Sequence, residues 1–258
     1  MTLAADTPPG ALLEDLPAVD LTGVQAVADL QRRFDRKYLV ERGRVGELLD
    51  ALPGDRRVLE VAGRRATPYT SVYFDTEDRR TYRDHVMRRR RRFKVRTRHY
   101  GDGSVAMLEV KCKGRRGQTI KHRWPHPAPD PGVLDDTALG LVETALQDQY
   151  GFGAPVDLGR SAVIRFQRVT LLLPSAGERV TIDLDLTVAA NGHELALGRR
   201  HAVVETKEPV RRGQASVALT GLGLRPDRLS KYCVGVTATD PALRGNAWRP
   251  ALRVLGEA

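Results

Sequence analysis

Apolar and charged residues alternate with period two along much of this chain, the pattern of strands that bury one face. Stretches 33–40, 69–75, 86–100, 104–113, 118–124, 162–173, 179–188 and 201–207 read as eight strands. Gly101-Asp102-Gly103, Gly114 to Gly117, Ser175 to Gly177 and Asn191-Gly192 supply hairpin turns between several of them. Helical spacing is confined to 11–30 (Leu12, Leu13, Leu16, then Val24, Val27, Leu30), 45–52, 135–150 (Leu139, Val142, Leu146, Tyr150) and Ser216 to Leu222. Pro53-Gly54 stops the second of these and Gly151 the third. No internal repeat or low-complexity linker breaks the chain, and the prolines at 125, 127, 129 and 131 read as a rigid connector. The expectation is α+β: a leading segment 1–29 (loose tail, short helix), one domain over 30–236, and a C-terminal tail 237–258.

The polar faces of the strands repeat one theme. Arg33, Asp35 and Lys37 lie opposite Phe34, Tyr38 and Val40; Arg92, Lys94, Arg96 and Arg98 alternate with Phe93 and Val95. Met107, Glu109, Lys111 and Lys113 oppose Ala106, Leu108, Val110 and Cys112, and Thr119, Lys121 and Arg123 oppose Ile120 and Trp124. Arg179, Thr181, Asp183 and Asp185 share a face, as do Val203, Glu205 and Lys207. A solvated face explains any one of these strands. Six with cations or cation–carboxylate pairs at alternate positions point to a common charged lining. If the sheet closes, that lining faces a tunnel, and a ligand must supply the counter-charge.

Charge supports this. The 258 residues carry a formal +10, so a polyanion is the expected partner: nucleic acid, an anionic membrane surface, nucleotide or polyphosphate. Among the 42 cations only seven are Lys (37, 94, 111, 113, 121, 207 and 231), all in candidate strands or in Ser230-Lys231-Tyr232. Lysine is a compact point charge suited to one phosphate oxygen. No apolar run approaches the roughly 18 residues of a membrane helix. The N-terminus has no secretory pattern, and two cysteines, Cys112 and Cys233, suit a reducing, cytoplasmic setting.

Arg33-x-Asp35-x-Lys37-Tyr38, Tyr73-Phe74-Asp75, Arg96-x-Arg98-x-Tyr100, Glu109-x-Lys111, Lys121-x-Arg123, Arg179-x-Thr181-x-Asp183, Glu205-x-Lys207 and Ser230-Lys231-Tyr232 occur in the order found in VTC domains. These are the polyphosphate polymerase domains of the vacuolar transporter chaperone complex and its bacterial relatives, within the triphosphate tunnel metalloenzymes (CYTH superfamily). An Arg- and Ala-rich chain also fits a bacterial source. The resemblance spans roughly 30–236. It implies a closed eight-stranded antiparallel β-barrel with flanking helices, transferring the terminal phosphate of ATP to polyphosphate with Mn²⁺ or Mg²⁺. By the same resemblance Lys37, Arg96, Arg98, Lys111, Lys121, Arg168 and Arg179 would grip the reacting phosphates, with Arg165 the rival for Arg168's role. Arg33, Arg123, Lys207, Arg228, Ser230 and Lys231 would bind substrate, the Ser-Lys pair capping one end. Glu205, with Asp35 and Glu109, would hold metal; Asp35 stands where the superfamily usually has Glu. The roles of Asp183 and Asp185 stay open, and each acid has the alternative of pairing with a neighbouring cation.

Phosphoryl transfer asks for positioning and charge neutralisation. A polyphosphate acceptor is already an oxyanion, whereas hydrolysis needs a positioned water. Triphosphatase activity, or polyphosphate binding alone, are therefore alternatives on the same scaffold. Nucleic-acid binding through Arg88 to Arg92 is a different class; no zinc-finger, helix-turn-helix or RNA-binding aromatic motif accompanies it, and in a strand these arginines would alternate faces. There is no G-x-x-x-x-G-K-[ST] loop, no kinase set and no paired histidine spacing. Phe34, Tyr38, Phe93 and Trp124 are expected to pack beneath helices.

Overall fold

The computed structural model describes residues 13–28, 33–101, 105–115, 118–128 and 130–256. The expected tail 1–10, Leu12 and Leu30, and Asp102, Gly103 and Gly117 of the turns lie outside the described residues. The elements are β1 (Ala18–Val19), α1 (Leu21–Ala28), β2 (Phe34–Glu41), α2 (Val45–Ala51), β3 (Arg57–Leu59), β4 (Ala66–Asp75), α3 (Arg80–Val86), β5 (Phe93–Tyr100), β6 (Ala106–Lys113), β7 (Thr119–His126), α4 (Asp136–Tyr150), β8 (Gly159–Leu173), β9 (Glu178–Ala190), β10 (His193–Leu197), β11 (His201–Glu208), α5 (Gln214–Gly221), α6 (Lys231–Thr239) and α7 (Arg249–Gly256). The fold is α+β, and none of its described helices is long and apolar enough to cross a membrane.

Eight strands form one antiparallel path in the order β2-β11-β9-β8-β4-β5-β6-β7. A closed barrel is not what forms: among the described residues no ladder joins β7 to β2. β7 is an edge strand carrying Pro125, which has no N–H to donate to a further neighbour. The sheet nonetheless curls. β2 and β6 stand six steps apart, which in a flat sheet is about 29 Å at ~4.8 Å per strand. Yet Lys113 on β6 is within electrostatic reach of Asp35 and Lys37 on β2, and Lys111 of Glu205 on β11. The architecture is a trough with charge on its concave face.

The convex face carries the main core. Val40, Val169, Leu171, Val180, Ile182, Ala202 and Val204 pack under α2 and α5 through Val45, Leu48, Leu49, Ala215 and Leu219. Val72, Phe74, Phe93, Val95, Leu108, Val110 and Cys112 pack under α4 through Ala138, Val142, Ala145 and Leu146. Each fully buried Val or Leu here contributes about 1.5–3 kcal/mol. α4 is delimited by its ends: the Asp135 carboxylate accepts from Ala138 N at 2.8 Å, and Gly151 closes the helix at φ +72°. Tyr38, Phe93 and Trp124 pack as expected, whereas Phe34 at the start of β2 is 45% exposed.

The stretch 86–92 is not a strand. Asp75 accepts from Thr81 N (2.7 Å) and Tyr82 N (3.0 Å), satisfying first-turn donors of a helix, and α3 runs on to Val86. Arg88–Arg92 is consequently an exposed loop, except for half-buried Arg92. α6 was also invisible to periodicity, because almost all its residues are buried, Val234 and Val236 among them. Of the expected tail, residues 237–256 hold the end of α6 and α7, with Trp248, Ala251 and Leu255 buried in the cluster around α6.

Candidate functional site

A β-bulge divides the concave face. The β8–β9 register shifts between Arg165 and Gln167, and opposite it Asp185 adopts a left-handed φ of +53°. Up to the bulge Arg179, Thr181 and Asp183 line the trough; beyond it Leu186 and Val188 take over that face. α6 packs on this apolar portion, and a Cβ on Gly235 would meet Val188 Cγ2 at 2.7 Å, so only glycine lets the helix lie this close. Lys231, the first residue of α6, thereby enters the charged portion from one end.

The expected lumen residues converge on two walls. One comprises β5, β6 and β7, where Lys94 pairs in register with Lys111 and Lys111 with Lys121. The next row sets Arg96 opposite Glu109 and Glu109 opposite Arg123. Glu109 is fully buried, ion-paired to Arg96 and to Lys121 at 2.5 Å, with Tyr100 Oη donating at 3.1 Å. Burial opposes its ionisation, but Arg96, Arg98 and the lysines hold its carboxyl well below the ordinary range. Burial, then Arg96, pushes Lys111 well below the usual lysine value; burial brings Lys121 down to about 8, Glu109 opposing. Like charges across strands are destabilising, and this row faces the trough without an acid of its own.

The opposite wall, β2, β11, β9 and β8, interleaves acids with cations. Lys37 Nζ lies 3.1 Å from Glu205, Lys207 Nζ 3.6 Å from the other Glu205 oxygen, and Lys207 donates to Thr181 Oγ1 at 3.1 Å. Burial disfavours a charged Lys37, but Glu205 and Asp35 more than offset it and its pKa is raised. Burial lowers Lys207 to about 8. Arg168 grips Asp183 through both nitrogens at 2.6 and 2.7 Å, and Lys231 meets the same carboxylate at 2.5 Å. Arg179 faces Lys207 in register, and Arg33 pairs with Asp35 at 2.7 Å.

Aromatic rings floor the site, a contribution that strand patterning missed. Arg168 lies over Tyr69 at 4.8 Å, Arg98 over the same ring at 5.3 Å, and Lys231 over Phe166 at 5.0 Å. Arg96 Nη1 donates to Tyr73 Oη at 2.8 Å. Tyr69 and Tyr73 share parity with Ser71, which accepts from Arg98 Nε at 2.9 Å; that alternation on β4 was the available signal.

Two expected members lie apart from these walls. Arg228 is exposed, stacks on Trp248 at 4.7 Å and donates to the carbonyls of His85 and Val86. Ser230 caps α6, its Oγ accepting from Cys233 N at 3.3 Å. Asp185, on the lining by simple alternation, is turned out by the bulge and pairs with Arg42 at 2.7 Å, 48% exposed. Arg165 likewise points outward to Glu194, leaving Arg168 in the trough. Lys94 belongs to the lining although it had no assigned role.

Glu205 and Asp35 present hard oxygen donors of the kind Mg²⁺ and Mn²⁺ take. Among the described residues no three Asp, Glu, His or Cys gather into a preformed metal cage. Glu205 keeps a side chain 15% exposed toward the trough, so it fits an ion shared with ligand phosphates better than one bound by protein alone.

Residues 32–132, which hold β2 through β7, match the VTC domain family model. The match supports chemistry directed at triphosphate or polyphosphate; Arg168, Arg179, Glu205, Lys207 and Lys231 lie beyond it. No curated protein matches the chain. Similar solved structures include a candidate adenylyl cyclase from Hippeastrum, described as having a dominant triphosphatase activity (15% identity, 83% of this chain and 99% of that one, TM-score 0.48). Another is a candidate adenylate cyclase from Bacillus halodurans (15% identity, 74% and 88% covered, TM-score 0.46). A third is a protein from Pyrococcus horikoshii (12% identity, 78% and 99% covered, TM-score 0.44). At these scores the functional reading rests on this chain's own side chains and on the domain match.

Proposed function

With a VTC domain match over residues 32–132 as premise, we propose that this protein is a polyphosphate polymerase, moving the terminal phosphate of ATP onto a polyphosphate chain in the charged trough. The observation that carries the reading is the row Lys94, Lys111, Lys121, three lysines side by side of which only Lys121 is reached by a carboxylate, Glu109 of the next row, facing a wall where Lys37, Arg168 and Lys207 are already held in place by carboxylates. A polyanion is the complement that turns this repulsion into binding.

In this mechanism Lys111, Lys121, Arg96 and Arg98 neutralise the non-bridging oxygens of the triphosphate. Lys37, Arg168, Arg179 and Lys207 hold the opposite side, so that the acceptor oxyanion and the leaving diphosphate lie along the trough. Glu109 acts on cations: it fixes the guanidinium of Arg96 and the ammonium of Lys121 so that they need no reorganisation when phosphate arrives. Lys231 closes the end occupied by α6, while Arg33 and Arg123 stand at the rims. A divalent cation, Mn²⁺ or Mg²⁺, would supply further neutralisation at the phosphates, held by Glu205 with Asp35 beside it. No general base is required for an acceptor that is already ionised.

The test is incubation of the full chain with ATP and Mn²⁺, followed by a polyphosphate gel. Polymer and ADP are expected. Free phosphate or pyrophosphate without polymer would instead assign the same site to a triphosphatase.

A further inference from the structure

A run of exposed arginines lies outside the trough and belongs to neither wall. Residues 87–91, between α3 and β5, form one bank of an open groove of about 760 Å³ whose lining includes Arg80, Arg83, Met87, Arg90, Arg91 and Phe152. Acids balance only part of it. Arg89 pairs with Asp84 at 3.1 Å and Arg83 with Asp78, while no ion pair holds Arg80, Arg88, Arg90 or Arg91 among the described residues. Arg80 lies over the Phe152 ring at 5.0 Å, which orients its guanidinium without neutralising it.

The groove adjoins the end of the trough that α6 fills. α3 is bonded to α6 between Tyr82 Oη and Thr237 Oγ1 at 2.8 Å, and Cys233 of α6 lies in the field of Lys94. A ligand of the groove is therefore separate from one lying in the trough. β5 carries the chain from this face to Tyr100 at the far end of the trough, so occupation of the groove leaves that far end clear.

Apolar side chains flank the cations. Met87 lines the groove and is 53% exposed. The other bank belongs to the segment between α4 and β8, which is held against the start of α3 at two points. Phe152 lies under Arg80, and Asp157 accepts from Glu77 N at 3.2 Å. Between these anchors Val156 projects fully into solvent, 102% exposed. A single exposed apolar residue is ordinary. Two that bracket an unbalanced cationic groove have the composition of an interfacial site, where cations meet headgroup phosphates and apolar tips enter the acyl boundary.

We propose that this face docks on an anionic lipid bilayer, with Arg88, Arg90 and Arg91 on headgroup phosphates and Met87 and Val156 inserted beside them. The inference does not depend on the reading of the trough. A nucleic acid would meet the same charge, but the one aromatic ring of the groove, Phe152, is already covered by Arg80 and offers bases no stacking platform.

The test is binding of the full chain to vesicles of phosphatidylcholine mixed with phosphatidylglycerol, and to phosphatidylcholine alone, by co-sedimentation across a salt series. Binding to the anionic vesicles only, weakening with salt, is expected. Arg90→Gln/Arg91→Gln should weaken it roughly thirtyfold. Met87→Ser/Val156→Ser should weaken it roughly tenfold, and all four side chains are exposed, so folding does not depend on them. Lys111→Met, inside the trough, should leave vesicle binding unchanged. Wild-type protein that ignores anionic vesicles, or an arginine variant that binds them as before, would overturn the docking face. An unaltered serine variant would overturn it too, since charge alone would then suffice. Loss in Lys111→Met would move the lipid contact to the trough, and release of the vesicles by short single-stranded DNA would assign the arginines to nucleic acid; either result sinks the proposal.

Discussion

The two walls of the trough solve the problem of buried charge in opposite ways. On the β2–β11–β9–β8 wall every acid holds its own cations: Glu205 has Lys37 and Lys207, Asp183 has Arg168 and Lys231, and Asp35 has Arg33. On the β5–β6–β7 wall one acid, Glu109, serves Arg96, Lys121 and Arg123, and Lys94 and Lys111 have no carboxylate in their row. The first wall, though still cationic, ties its cations to three carboxylates and is held in place without a ligand. The second is held in an electrostatically unfavourable state that a bound anion relieves. Substitution should therefore separate stability from binding differently on each wall.

The largest effect is expected at Glu109. Glu109→Gln removes the sole acid of its wall from a fully buried position and leaves Arg96 uncompensated, a change that typically costs about 3–5 kcal/mol. Urea unfolding without ligand should show this, and saturating tripolyphosphate should raise the variant's melting temperature by more than the wild type's. An equal rise for both proteins would break the claim that this wall waits for an anion.

Lys111→Met should act in opposite directions on the two quantities. Removing one ammonium from between Lys94 and Lys121 leaves ligand-free stability unchanged or improved, while tripolyphosphate affinity falls by about 2–3 kcal/mol. On the other wall Lys231→Met should lose both, because Asp183 is then left with Arg168 alone. Parallel losses in both variants would dissolve the distinction between the walls.

A smaller effect is the pH dependence. Lys121 and Lys207 are brought down to about 8 in the folded protein from an ordinary value near 10.5. Between these values the unfolded chain binds more protons than the folded one, so ligand-free stability rises as pH increases from about 8 to 10.5. Phosphate binding needs the ammonium forms, so affinity falls over the same interval and binding takes up protons. Calorimetry in buffers of different ionisation enthalpy reads the uptake directly; a flat affinity from pH 7 to 10 would remove these lysines from the phosphate contacts.

Strand patterning captured the lining because alternation is local: Lys37, Arg96, Glu109, Lys111, Lys121 and Glu205 face the trough by parity alone. What it missed depends on contacts distant in sequence. That β7 leaves an open edge rather than pairing with β2 is set by curvature, which no single strand encodes. The end of the stretch at 86–92 was decided by Asp75 capping α3 from β4. α6 is helical because its β-branched residues are buried against β9, where tertiary packing outweighs propensity.

Asp185 is the case in which alternation itself misleads, and it supplies the smallest prediction. Arg179, Thr181, Asp183 and Asp185 form an unbroken polar stripe in the sequence, but the bulge opposite Arg165–Gln167 rotates the last of them out to Arg42. Asp185→Asn keeps a residue that tolerates the left-handed backbone and loses only a half-exposed ion pair, so stability should change by no more than about 0.5 kcal/mol. Tripolyphosphate affinity should be unaltered, whereas Asp183→Asn, two residues earlier, frees Arg168 and Lys231 and changes both stability and binding. Were the two asparagine variants to behave alike, the bulge would not divide the concave face, and α6 could not close the trough where Lys231 now does.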